Sequence, residues 1–241
     1  MQRLGTPRVH FRLTDSTNAR GRELAGRGAP HGTVVTASQQ TAGRGRQGRT
    51  WTAPAGRALL SSLVIRDPPR LLPLVAGVAV AEVAGADARI KWPNDILVAG
   101  RKVAGILVEA RLQEGWAVVG IGLNVAVRDT DFPPELRDRA GTLGLEPSAL
   151  EPTLDALLRA LERWLAADSE AVLEAVRGRD ALIGREVRWG GQVGIGAGID
   201  GDGRLVVRTD DGEVVRLDAG EVHLGGARGV QNATNPPQPS R

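Results

Sequence analysis

Three apolar runs, Ile96 to Val98, Val103 to Leu112 and Trp116 to Val125, follow one another with very little chain between them. The connections are Ala99-Gly100-Arg101 and Gln113-Glu114-Gly115. Glycine-bearing turns of this length between apolar runs signal β-hairpins. The stretch therefore predicts antiparallel strands in the middle of the chain, with the other elements arranged around them. Gly120 and Gly122 inside the third run predict close approach of a ligand or a neighbour to the backbone, a bulge being the alternative.

Upstream, Val9 to Leu13 alternates apolar and polar residues as a half-buried strand does. Ser16 or Thr17 can cap a helix running to about Gly26, because a short hydroxyl accepts from the free N–H groups of a first turn. Thr33 to Ser38 and Ala58 to Ile65 have strand composition. Leu72 to about Ala86 is apolar nearly all round and predicts a buried helix. Ala88 to Trp92 predicts a short strand. Downstream, Ser148 and Glu151 have capping-box spacing. Leu150, Leu154, Leu157, Leu158, Leu161 and Leu165 then share one helical face, and a second helix is expected over Glu170 to Arg177.

Past Arg185 five short β-like pieces alternate with glycine-rich turns, which predicts a small barrel and a domain boundary near Leu182 to Gly184. The expected division is a larger α+β domain over 1–182, the barrel over 183–225 and a disordered polar tail over 226–241.

Composition removes several chemistries. With no cysteine there is no disulfide, no thiolate nucleophile and no cysteine-bound zinc. His10, His31 and His223 are scattered singly, which argues against a histidine-built metal site. No signal pattern or long apolar span appears, so a soluble, cytoplasmic protein without membrane contact is expected. No G-x-S-x-G elbow supports a hydrolase triad.

Charge distribution says more than the formal net charge of +3. From Leu24 to Arg66 there is no acid, yet Arg27, Arg44, Arg46, Arg49, Arg57 and Arg66 lie there. This field should draw in an anion: a nucleic acid, a nucleotide phosphate or a carboxylate. Gly43-Arg-Gly45-Arg-Gln-Gly48 has the G-x-G-x-x-G spacing, but the residues that follow cannot open a helix well, so a dinucleotide fold is rejected. A glycine loop with arginines at alternate positions can wrap an anion with backbone N–H groups and guanidinium forks together. A nucleic-acid-binding module built on residues 24–66 is the alternative. It is weakened by an aromatic content of 3% and the absence of tyrosine, which leave few stacking platforms.

Of the 31 lysines and arginines, only Lys91 and Lys102 are lysines, twelve residues apart if both ends are counted. Lysine is a point charge on a flexible stem and arginine a planar fork, so these positions suggest a need for the former, the alternative being coincidence in an arginine-rich chain with both lysines solvated. Asp95, between Asn94 and a strand, is the one acid closely flanked by site-like residues, with an ordinary turn residue as the alternative.

Taken in order, DSTN at 15–18, QTAGRGRQGR at 40–49, KWPNDILV at 91–98, KVAGILVE at 102–109 and GIGLNV at 120–125 resemble the biotin protein ligases. The resemblance runs over about residues 8–225. It implies a mixed sheet with helices packed on it, of the class II aminoacyl-tRNA-synthetase and biotin-ligase type, with a C-terminal SH3-like barrel. It does not extend to the helix-turn-helix domain of repressor-type members, so no DNA partner is expected. The implied reaction joins biotin and ATP, with Mg2+, into biotinoyl-5'-AMP, and then biotinylates a lysine of a carboxyl carrier domain of an acyl-CoA carboxylase.

By the same resemblance Lys102, Arg46 and Asp95 are the expected catalytic residues, with Asp95 also near magnesium. Ser16, Thr17, Asn18, Gln40, Arg44, Gly45, Arg46, Lys102 and Gly105 are expected at biotin. Arg46, Arg49, Trp51, Asn94, Lys102 and Asn124 are expected at the adenylate. Lys91 is expected to support the strand and turn that place Asn94 and Asp95. A lipoate ligase or octanoyltransferase is the nearest rival. The chain is expected as a monomer or a homodimer, because a sheet edge could pair two copies.

Overall fold

The computed structural model describes residues 3–218, 220 and 222–224. The tail expected over 226–241 lies outside the described residues. The first part of the chain is a seven-stranded sheet built from β1 (Arg8–Phe11), β2 (Val34–Ala37), β3 (Ala58–Arg66), β4 (Arg89–Lys91), β5 (Asp95–Val98), β6 (Arg101–Arg111) and β7 (Trp116–Asn124). Its order is β1-β2-β3-β7-β6-β5-β4. β1 runs parallel to β2, and the other neighbours are antiparallel. The predicted hairpins β5–β6 and β6–β7 form its middle and one flank, as the short glycine turns require.

The two faces are covered differently. Leu59, Leu63, Ile65, Ala104, Ile106, Val119, Ile121 and Leu123 share one core with three helices: α2 (Leu72–Ala84), α3 (Leu150–Ala166) and α4 (Ser169–Arg177). α2 is buried without a break from Leu74 to Ala81, as its all-round apolar sequence demands. α3 turns Leu154, Leu157 and Leu161 inward. Each such leucine is worth about 1.5–3 kcal/mol of burial. The opposite face carries α1 (Thr17–Gly26), which packs on β3 and β7, and the glycine-rich segment before β3.

α3 does not begin as its sequence suggested. The helix starts at Leu150 after a 3-10 turn over Pro147–Ala149, and no side chain caps it. Glu151 instead accepts from both terminal nitrogens of Arg8, at 2.6 and 2.8 Å. A bidentate charged pair outcompetes the neutral backbone N–H that a capping box would offer. α4 is capped by Asp168, which accepts from Ala171 N at 2.8 Å.

The second part is a five-stranded antiparallel sheet of β8 (Glu186–Trp189), β9 (Gln192–Ile199), β10 (Leu205–Arg208), β11 (Val214–Leu217) and β12 (His223–Leu224), in the order β11-β10-β9-β8-β12. Val187, Leu205 and Val207 continue the main core. A Cβ on Gly203 would lie 2.8 Å from Leu71 and 2.9 Å from Leu74, so the β9–β10 turn sits directly on the start of α2. Trp92 Nε1 donates to the Gly203 carbonyl at 3.0 Å.

Candidate active site

The cleft opens on the face that α1 only partly covers. Three glycines make its floor, at register positions that face this side: Gly105 on β6, opposite Gly122 on β7, with Gly120 two residues before it. A Cβ on Gly120 would lie 2.0 Å from Asn18 Oδ1, and one on Gly122 would lie 2.5 Å from the Trp51 ring. The predicted close approach is therefore real, and the neighbours are Asn18 and Trp51. It is not a bulge, because β7 pairs with β3 and β6 in unbroken register.

A bulge does occur one strand away, and it aims Lys102. Asp95 pairs with Gly105 and Ile96 with Ala104, but Leu97 pairs with Lys102. One residue is gained between them, so Val103 and Ala104 both enter the helix-side core. Plain alternation would have sent Lys102 to that core as well. An extra residue reverses the facing of everything before it, and Lys102 lands in the cleft.

Lys102 Nζ there lies 2.6 Å from Asp95 Oδ1 and 5.6 Å from the centre of the Trp51 ring. Lys91, opposite Asp95 in the β4–β5 ladder, reaches Oδ2 of the same carboxylate at 3.8 Å. Both lysines of the chain thus converge on one mostly buried acid. Asn94 Nδ2 adds a hydrogen bond to Asp95 Oδ1 at 3.1 Å.

The N-terminus of α1 forms the inner wall. Ser16 caps the helix, accepting from Ala19 N. Asp15 just before it accepts from Ser16 N and from two nitrogens of Arg20. The Arg20 guanidinium, followed by the Ser16 N–H, holds the Asp15 carboxyl well below the usual carboxylate range. Thr17 N donates to Gln40 Oε1 at 2.7 Å. The hydroxyls of Thr17 and Ser62 are 2.8 Å apart, and Ser62 Oγ lies 2.6 Å from Asn18 Oδ1. Asn18 Nδ2 donates to Glu109 Oε2 at 2.9 Å. The Asn18 oxygen can only accept, so the single Ser62 proton goes to it and Asn18 in turn donates to the Glu109 carboxylate, while the Thr17 hydroxyl has both Ser62 Oγ and, at 3.1 Å, Gln40 Oε1 as acceptors.

The glycine segment is a tight hairpin. Trp51 N donates to Gly43 O at 2.9 Å and Gly45 N to Arg49 O at 2.6 Å, with Gln47 left-handed at the tip (φ 55°). Its arginines point different ways. Arg44 sits 3.5 Å from Glu109, which Arg22 also holds at 2.7 Å. Arg46 donates to Asn94 Oδ1 at 3.0 Å and to the carbonyl of Gly220, between β11 and β12, at 3.1 Å. The Trp51 ring lies over the glycine floor, and its buried indole N–H has no acceptor among the described residues.

These elements enclose a cleft of about 110 Å³. Of the residues expected at the site, Ser16, Thr17, Asn18, Gln40, Arg44, Gly45, Arg46, Arg49, Trp51, Asn94, Lys102 and Gly105 line it. Asp95 stands behind Lys102 rather than at the surface of the cleft. Asn124 does not reach it: its amide is buried and donates to Gly141 O at 2.8 Å, fastening the end of β7 to the following loop.

Asp95 also does not suit the magnesium role expected of it. Its two oxygens already face two ammonium groups, which hold the carboxylate as their counter-ion. Sequence reasoning missed Ser62 and Glu109 as site residues. The signals were there: Ser61 and Ser62 interrupt an otherwise apolar strand, and Glu109 ends one of the motifs.

A glycine-floored cleft with a helix N-terminus on one wall and four cations around it fits what comparison with other proteins shows. Residues 10–125 match the biotin/lipoate A/B protein ligase family, and residues 182–225 match the biotin protein ligase C terminal domain. A biotin--[acetyl-CoA-carboxylase] ligase of Mycobacterium tuberculosis is 37% identical over 235 residues, covering 88% of this chain and 86% of that protein.

The chain belongs to the biotin protein ligase family.

The bifunctional ligase/repressor BirA of Bacillus subtilis is 41% identical over 152 residues, 58% of this chain. That match spans 47% of the Bacillus protein, about half its length. Among solved structures, the Aquifex aeolicus biotin protein ligase in complex with biotin and ATP superposes with a TM-score of 0.78 at 28% identity, covering 91% of this chain and 99% of that one. The biotin protein ligase fold accounts for both sheets, the five-stranded one being its C-terminal SH3-like domain. No described helix of this biotin protein ligase is long and apolar enough to cross a membrane.

Proposed function

We propose that this biotin protein ligase joins biotin to ATP as biotinoyl-5'-AMP and then transfers biotin to a lysine of a carboxyl carrier domain of an acyl-CoA carboxylase, in the cytoplasm. The observation that carries the reading is the convergence of Lys102, Arg44, Arg46 and Arg49 on a cleft with a polar inner wall. Two anions must meet in the first step, and fixed positive charge offsets their repulsion.

A carboxylate oxygen of biotin attacks the α-phosphorus, and the bond from that phosphorus to the pyrophosphate oxygen breaks. Lys102 and Arg46 stabilise the charge at this junction. Ser16, Thr17, Asn18 and Gln40 orient the ureido ring, with Gly105 giving the ring system room above the sheet. Arg49, Trp51 and Asn94 serve the adenylate side, where the indole N–H offers a donor. In the second step the neutral amine of the carrier lysine attacks the acyl carbon, and AMP leaves. The hairpin bearing Arg44, Gly45 and Arg46 covers the mixed anhydride and keeps water from it. Magnesium would enter with the ATP phosphates, a mode usual for this ion.

Pyrophosphate release from ATP, measured with biotin, with lipoate and with neither, tests the reading. Release stimulated by biotin alone supports it, and stimulation by lipoate alone would replace it with a lipoate ligase. The variant Arg46→Gly is expected to let biotinoyl-AMP escape and label bystander lysines. Retention of the adenylate as tight as in the wild type would remove Arg46 from the clamp.

A further inference from the structure

Three arginines of this chain meet a carboxylate through two nitrogens at once. Arg8 grips Glu151 with two nitrogens, Arg20 grips Asp15 with two, and Arg101 grips Asp129 with two. Such forks are rigid and hold on. At Asp95 the arrangement is different: one carboxylate faces two separate ammonium groups, Lys102 at 2.6 Å and Lys91 at 3.8 Å. The side chain of Asp95 is 15% exposed, so stripping it of counter-ions would leave a charge largely cut off from water.

This raises a difficulty for the reaction proposed above, on which the present inference rests. Lys102 must turn its charge to the anionic reactants, yet it begins in contact with Asp95. If it were the sole cation there, every approach to substrate would orphan the acid. We infer that Lys91 is a positioning residue that takes over the Asp95 carboxylate when the Lys102 ammonium turns to a carboxylate or phosphate in the cleft. The two ammonium groups approach different oxygens, so the transfer needs no crossing of one past the other. The ladder places Lys91 directly opposite Asp95 on β4, and the bulge of β6 brings Lys102 from the other side. A lysine at 102 can shift between acceptors on its flexible stem, whereas an arginine there would close a fork on Asp95 and stay. Position 91 needs only to supply positive charge.

The test is a set of full-length variants compared with the wild type by biotin-dependent pyrophosphate release. Lys91→Met is expected to lower kcat by about tenfold, because Lys102 is then held by Asp95. Lys91→Arg should stay within about threefold of the wild type, whereas Lys102→Arg should lose most activity despite keeping its charge. The deciding arm is the double variant Lys91→Met with Asp95→Asn. Removing the acid removes the tether, so the double variant should be at least about threefold faster than Lys91→Met alone.

A purely structural role for Lys91 would make the second substitution neutral or harmful. Binding of biotin methyl ester, a neutral probe, should be unchanged in the Lys91 variants and reports an intact cleft. If Lys91→Met loses ester binding, Lys91→Gln takes its place in the series. Lys91→Met activity within twofold of the wild type, or a double variant no faster than the single, overturns the inference. A wild type without biotin-dependent release overturns the proposed function instead, and is seen before any variant is compared.

Discussion

On β7, Ala117, Val119, Ile121 and Leu123 face the helices α2 and α3, while Val118, Gly120, Gly122 and Asn124 face the other way. The two faces of the sheet are thus made by alternate residues of the same strands, yet they obey opposite rules. The helix side is filled to exclusion with aliphatic side chains. On the cleft side, volume is given up at three glycines, and the space is taken by an amide, an indole and an ammonium group that reach in from other elements. One side specifies the fold by what it contains, and the other specifies a site by what it leaves out. Neighbouring substitutions should then have effects of different kinds, stability on one face and chemistry on the other.

The largest effect is expected from Gly122→Ala. Its methyl would stand where the Trp51 ring lies, displacing the ring and the hairpin behind it. Displacement of about 1 Å in a reacting assembly can cost on the order of 100-fold, so biotin-dependent pyrophosphate release should fall by about that factor while cooperative unfolding persists. Next is the opposite face. Leu157→Ala, fully buried on α3, should cost about 2–5 kcal/mol in denaturant unfolding, with activity per folded molecule unchanged. If Gly122→Ala proved as unstable as Leu157→Ala, or Leu157→Ala as inactive as Gly122→Ala, the separation of the two faces would fail.

The smallest effect is at the rim of the packed side. Asp180 bridges to Ile90 of β4, its Oδ1 accepts from Leu182 N, and its buried Oδ2 makes no close hydrogen bond among the described residues. Burial raises its pKa above the usual 3.8. The folded state then binds a proton more tightly than the unfolded chain, so this group costs stability as pH rises from 3.8 through the raised value. Asp180→Asn should be slightly more stable than the wild type at neutral pH, with the difference vanishing below about pH 3.8. Thermal unfolding at both pH values checks this, and a difference that grows in acid would reverse the sign.

Much of this was legible in the residues themselves. Hairpins, the buried α2 and the leucine face of α3 follow from period and turn chemistry, which act over a few positions. The motifs brought twelve of the expected residues to one cleft. What stayed hidden depends on partners far along the chain. Ser148 and Glu151 look like a cap until Arg8, 143 residues from Glu151, claims the carboxylate. Asn124 follows glycines that floor the cleft, yet its own amide goes to Gly141. Asp95 has the surroundings of a metal ligand in sequence and the surroundings of a lysine counter-ion in space. The bulge is silent in the sequence because Val103 and Ala104 are both apolar and fit either facing.

That bulge makes the cleft depend on phase as well as on identity. β6 carries a one-residue offset between its two halves, like a frame shift that is never corrected. Pairing the same residues in plain alternation would leave every side chain after Ala104 where it is but point Lys102 at the aliphatic interior, whereas removing Val103 would remove the extra residue and leave Lys102 facing the cleft. The chemistry of this chain therefore rests partly on counting: the same residues in the same order present their lysine to one face or the other according to whether that one residue is left out of the ladder.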